Sequence, residues 1–267
     1  MRDPVHWLVD RLAGRIAYEV WRQPSRHYAA IASLAQRYGY AALSAAELKV
    51  FSQNGEDGVL AEIFSRIETT NRFFVEFGVY DGIECNTRFL MEVLGWSGVY
   101  FEPIPEAFTR LSERLASRKD VLAIQAFLTP ENAGDLFAQA GVPPEPDLLS
   151  IDIDGQDYWV WEVLEAYRPR VVVIEYNAKL VGARLVERKG TVHGRIVSSY
   201  FGASLEALRA LGDRKGYTLV HAELAGVNLF FVRKELAGPF EVPLARGANI
   251  ELRGYQHKAG DGDYVEV

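Results

Sequence analysis

A chain of 267 residues, 49% hydrophobic and 24% charged, can close one substantial core and leaves room for only a small accessory segment. A formal charge of -7 argues against a nucleic-acid partner, which needs a basic face to neutralise phosphates. The single cysteine, Cys85, excludes an internal disulfide and a zinc-cysteine cluster and fits a reducing compartment. The first twenty residues mix Arg2, Asp3, Asp10, Arg11 and Arg15 among apolar positions, unlike a secretion signal. No charge-poor apolar run reaches the roughly 18 residues that cross a bilayer, so no transmembrane segment and a soluble, cytoplasmic protein are expected.

Residues 1–48 place Trp7, Leu8, Leu12, Ile16 and Val20 near helical spacing and read as a helical lid or dimer arm, the basis for expecting a homo-oligomer. In the stretch Ser52-Gln-Asn-Gly-Glu-Asp57, Ser52 or Asn54 can cap the helix that follows, while Gln53 or Glu56 can reach a pocket beside the first strand. From residue 73 short buried apolar runs alternate with amphipathic segments, the pattern of a parallel sheet covered on both faces. The strands are expected at 73–78, 98–103, 121–127, 148–154 and 170–176, with helices near 84–95, 105–118, 131–140 and 157–167. An irregular stretch at 178–200 and a helix near 203–214 lead to strands at 217–224 and 228–233, joined by a short Ala-Gly turn as an antiparallel edge hairpin. The main domain thus spans 49–236, and residues 237–267 read as an irregular, partly extended tail.

The segment Phe73-Phe-Val-Glu-Phe-Gly-Val-Tyr-Asp-Gly82 runs from a buried strand into a glycine-punctuated turn, where a doubly wound sheet binds its nucleotide. Its pattern is E-x-G-x-x-D-G, not the G-x-G-x-x-G that admits a pyrophosphate. Glu76 and Asp81 would repel a phosphate and favour a ligand with sulfonium and ammonium charges, which points to S-adenosylmethionine rather than a nicotinamide dinucleotide. Glu102 closes the second strand about twenty positions after the glycine loop, where a carboxylate accepts both ribose hydroxyls. Gln125, at the end of the third strand, is placed beside the base. Trp96, Trp159 and Trp161 are read as core aromatics.

Phe51-Ser-Gln-Asn-Gly-Glu-Asp57, Phe74-Val-Glu-Phe-Gly-Val-Tyr-Asp-Gly82, Asn86-Thr87, Gly95-Trp-Ser-Gly-Val-Tyr-Phe-Glu-Pro103, Leu149-Ser-Ile-Asp-Ile-Asp-Gly155, Val173-Ile-Glu-Tyr-Asn177, Tyr200-Phe-Gly-Ala-Ser204 and Asn228-Leu-Phe-Phe-Val-Arg233 together resemble the FkbM-type methyltransferases over roughly residues 50–235. The resemblance implies a Rossmann-like class I methyltransferase sheet and methyl transfer to oxygen, typically on sugars or related natural products. It implies cofactor roles for Glu76, Gly78, Tyr80, Asp81 and Glu102, with Asn86 near the methionine moiety, and a small-molecule or saccharide acceptor. A NAD(P)-dependent sugar oxidoreductase and a noncatalytic cofactor-binding module are the competing readings of the same fold.

The fourth and fifth strands end in Asp152-Ile-Asp154 and Glu175-Tyr-Asn177, and carboxyl ends of neighbouring strands converge. Asp154, Glu175 and Asn177 are similar in place to the ligands of metal-dependent O-methyltransferases and could hold Mg2+ or another divalent cation. Without a metal, Asp152 or His193 is the expected general base.

Overall fold

The computed structural model describes residues 42–180, 182–191, 200–223, 225–240 and 263–267. Most of the N-terminal arm, His193 and most of the C-terminal tail lie outside them. Among the described residues no helix is long and apolar enough to cross a membrane.

A seven-stranded sheet organises the chain. Strand β1 (Phe73–Phe77) lies at its centre, parallel to β2 (Ser97–Phe101) on one side and β4 (Leu148–Ile151) on the other. Outside these lie β3 (Val121–Ile124) and β5 (Val171–Glu175), also parallel. The far edge is the antiparallel hairpin β7 (Tyr217–Ala222) and β8 (Asn228–Arg233), with β8 against β5, so the order is β3-β2-β1-β4-β5-β8-β7. This is the mostly parallel α/β sheet with an antiparallel edge that the residue pattern predicts.

Successive residues of a strand face opposite sides, and this sheet is apolar on both. Val75, Phe77, Val99, Phe101, Val172 and Ile174 pack under α4 (Ala133–Gln139), α5 (Asp157–Val163) and α6 (Leu205–Lys215). Phe74, Tyr100, Val171 and Val173 pack under α1 (Glu56–Ile67), α2 (Arg88–Glu92) and α3 (Pro105–Leu115). Trp96 and Trp161 are core residues as expected. Helix α6 shows the full set of local signals: Ser204 caps it by accepting from the Ala207 N–H at 3.1 Å, and Gly216 ends it in the left-handed conformation.

Helix α1 has Gly55 at its N-cap, and Ser52 Oγ, as expected, accepts a first-turn N–H, that of Asp57 at 3.2 Å. The first-turn acids reach back into the loop. Asp57 accepts from the backbone N–H groups of Val50, Phe51 and Ser52 at 2.6–2.8 Å, and Glu56 accepts from Asn54 and from the Asn228 amide at 2.9 Å. Glu56 is therefore committed to the scaffold. Within the expected irregular stretch, β6 (Leu185–Val186) pairs with β9 (Val265–Glu266), so part of the tail returns to the main domain.

The starts of β1 and β4 are joined by one buried carboxylate. Asp147 accepts from the N–H groups of Thr70, Asn71 and Arg72 at 2.7–3.0 Å and pairs with Arg170 at 3.2 Å. Arg72 has φ 50°, a left-handed conformation that this carboxylate holds. Asp147→Ala removes the buried partner of Arg170 and of three loop N–H groups and should lower unfolding free energy by about 3 kcal/mol, read as a lower urea midpoint at unchanged slope.

Candidate functional site

The strand order reverses between β1 and β4, the place where an open α/β sheet of this kind forms its ligand crevice at the carboxyl ends of the strands. Its first wall is the loop after β1. Gly78 has φ +69°, and a Cβ on it would lie 1.7 Å from the Asp152 carbonyl oxygen, so no side chain fits and the two loops touch through backbone. Tyr80, also left-handed at φ 51°, donates its N–H to Glu102 Oε2 at 2.7 Å, and Ile104 donates to Oε1 at 2.8 Å. Glu102 thus ties the ends of β1 and β2, and burial raises its pKa.

Glu76 sits deeper. Its carboxylate accepts from the Asn86 N–H at 2.7 Å, the Thr87 N–H at 3.1 Å and the Thr87 hydroxyl at 2.5 Å. Those bonds fix the far end of the loop, and the Asn86 amide donates onward to Ser150 Oγ at 3.1 Å. Asp81 accepts from the Ile83 N–H at 3.2 Å and pairs with Arg110 at 3.6 Å, while Arg114 donates to its carbonyl at 3.1 Å. Arg110 also stacks 5.2 Å over the Tyr80 ring. These two arginines, on α3, are missing from the sequence reading, because pairing across 29 residues leaves no local signal.

Gln125 is exposed just beyond β3. Phe127 and Ile104, at the ends of β3 and β2, are 63% and 46% exposed, unusual for large apolar residues beside a crevice. The signal for them was an apolar residue immediately past a strand end, where burial is not required.

The second wall is acidic. Carboxylate oxygens of Asp152, Asp154 and Glu175 lie within 4.8 Å of one another, and Glu175 Oε2 is buried without a hydrogen-bond partner. Burial, then the neighbouring Asp154, pushes the Asp152 pKa well up; burial, then Asp152, does the same for Glu175. Three carboxylate oxygens this close fit the donor preference of a hard divalent cation. The sequence reading named Asp154, Glu175 and Asn177 as ligands and Asp152 as a base; the structure brings Asp152 together with Asp154 and Glu175, while Asn177 donates its amide to the Phe201 carbonyl at 3.1 Å and its Oδ1 accepts from the Lys179 N–H. Trp159 is partly buried and donates to the Glu187 carbonyl at 2.8 Å.

Burial raises Glu76 from 4.5 to about 7, and its three hydrogen bonds only partly oppose this. The folded state therefore holds the Glu76 proton more tightly than the unfolded chain does. The associated stability is fully present below pH 4.5 and is lost as pH rises to about 7. Urea titrations across that window should show unfolding free energy falling with pH, and Glu76→Gln should flatten the slope; an unchanged slope would show that Glu76 titrates normally.

No family model matches the chain, and no curated protein matches it in sequence. Solved structures resemble it in backbone. The CcbJ methyltransferase from Streptomyces caelestis is 18% identical, matched over 67% of this chain and 95% of that one at a TM-score of 0.40. The N-terminal domain of EvdMO1 with S-adenosylhomocysteine bound is 14% identical over 68% and 80%, at 0.44. A ribosomal protein L11 methylase from Lactobacillus delbrueckii subsp. bulgaricus is 15% identical over 68% and 80%, at 0.42. In a neighbour from Galdieria sulphuraria the match spans 59% of that chain's length. The strand order and antiparallel edge of this chain are those of a mostly parallel, Rossmann-like α/β sheet.

Proposed function

We propose that this chain is an S-adenosylmethionine-dependent O-methyltransferase acting on a hydroxyl of a sugar, glycoconjugate or related natural product. The observation that carries the reading is the set of acids at the carboxyl ends of β2, β4 and β5: Glu102, which holds the loop after β1, and the close trio Asp152, Asp154 and Glu175. A nicotinamide dinucleotide would set its pyrophosphate against these carboxylates, whereas a sulfonium and an ammonium are attracted to them. The resemblance to FkbM-type methyltransferases points the same way and supplies the oxygen acceptor and saccharide class.

Glu102 is placed to receive the ribose hydroxyls, since each of its oxygens binds one loop N–H and keeps a lone pair free. Gly78 keeps the floor open to a close ligand, and the apolar Phe127 and Ile104 stand at the strand ends where a base would stack. Asp152, Asp154 and Glu175 would hold a divalent cation such as Mg2+. That ion, when bound, lowers the pKa of a coordinated acceptor hydroxyl so that it attacks as an alkoxide. Without a metal the trio would bind the acceptor hydroxyl directly, with Asp152 as the base that takes up the leaving proton.

Calorimetric titration should show S-adenosylhomocysteine binding and no NADH binding. Glu102→Ala should weaken the homocysteine product about tenfold, the loss of roughly one charge-assisted hydrogen bond pair. Glu175→Gln should leave that affinity intact while cutting turnover, and EDTA should mimic it until Mg2+ is restored. Binding of NADH instead would move the chain to the oxidoreductases; product binding without turnover on any hydroxylated acceptor would make it a binding module.

A further inference from the structure

Asp154 is the most exposed of the three acids, and its backbone is left-handed at φ 55°. The residues on either side of it are held by Asp157, which is buried to 1% exposure and accepts from the Ile153 N–H with Oδ1 at 2.9 Å and from the Gly155 N–H with Oδ2 at 2.9 Å. One carboxylate thus grips the peptide on each side of Asp154. The outer flank is fixed as well, since Gln156 accepts from the Gly190 N–H at 2.6 Å and donates to the Arg188 carbonyl at 3.0 Å.

We infer that Asp157 is a positioning residue: it touches neither cofactor nor acceptor, and it sets the Asp154 carboxylate against Asp152 and Glu175 so that the three form one cation site. The inference rests on the proposed metal reading and adds a residue to it. An aspartate presents two acceptor oxygens about two ångströms apart, which is what two N–H groups flanking a single residue require. An asparagine would turn a donor toward one of them. A glutamate keeps the charge but carries the carboxylate one methylene further out.

Mn2+ serves as the probe, and its binding is followed by the loss of the free-ion electron paramagnetic resonance signal. Wild-type protein should bind one Mn2+ competitively with Mg2+. Asp157→Asn should weaken Mn2+ about tenfold, the usual cost of losing an outer partner of a metal ligand, with S-adenosylhomocysteine affinity unchanged. Asp157→Glu should lose affinity to a similar degree. If Asp157→Glu restores wild-type affinity, Asp157 acts through its charge and the inference falls. It falls too if either variant binds Mn2+ as wild type does. Should wild-type protein bind no Mn2+ while still binding S-adenosylhomocysteine, the metal reading itself is wrong and Asp157 has no site to organise. Asp157→Glu decides the matter alone if the asparagine variant does not fold.

Discussion

The backbone contact between Gly78 and Asp152 is the constraint on which the site depends. It brings the loop after β1 to within touching distance of the loop after β4, at the one place where the strand order turns back on itself. Any side chain at 78 would drive these loops apart. Because they meet, Glu102 on one wall and the Asp152, Asp154 and Glu175 trio on the other face a single crevice instead of two shallow surfaces. The parallel register of β1 with β4 and of β4 with β5 sets the heights of these strand ends, and the residues beyond them inherit that alignment.

The loops around the crevice are held by one recurring device. Asp57, Glu76, Glu102, Asp147 and Asp157 are all buried, and each accepts from at least two backbone N–H groups of a neighbouring loop. A hydrogen bond to an ionised carboxylate stabilises by roughly 1.5–3 kcal/mol, enough in pairs to offset much of the cost of taking the charge out of water. The balance is visible at Glu76 and Asp157, which burial raises to about 7 and about 6 despite their donors. A loop made this way needs no hydrophobic anchor and can leave its outer face to a ligand.

This device explains what the sequence did and did not disclose. Strand positions were legible because both faces of the sheet are covered, so Val171–Glu175 and Asn228–Arg233 read as unbroken apolar runs. The acids were legible as residues of consequence, since Glu76 stands two residues before Gly78 in a buried strand and Glu102 directly follows the buried β2. Their division of labour was not. A carboxylate that binds a ligand and one that binds its own loop have the same letter in the same place, and only the N–H groups around Glu76 separate it from the open oxygens of Glu175. That Asp152 joins Asp154 and Glu175 was not legible for a related reason: period-two alternation holds inside a strand, and Asp152 lies just past the last paired residue of β4. Strands β6 and β9, two residues each, carry no periodicity to read.

Backbone strain follows the same carboxylates. Among the described residues four non-glycines are left-handed: Glu68, Arg72, Tyr80 and Asp154. In three of them a buried acid grips the strained peptide or its flanks: Asp147 holds the Arg72 N–H, Glu102 the Tyr80 N–H, and Asp157 both neighbours of Asp154. Each such residue costs on the order of 1–3 kcal/mol, close to what its clamp returns, so strain and clamp nearly cancel locally. Arg72 lies at the sheet's opposite end, where its clamp serves only stability. Tyr80 and Asp154 flank the crevice, one on each wall, and there the same near-cancellation has a different consequence. The clamps hold both walls in one geometry before any ligand arrives, so a ligand bound there would not have to supply the ordering of these loops from its own binding energy.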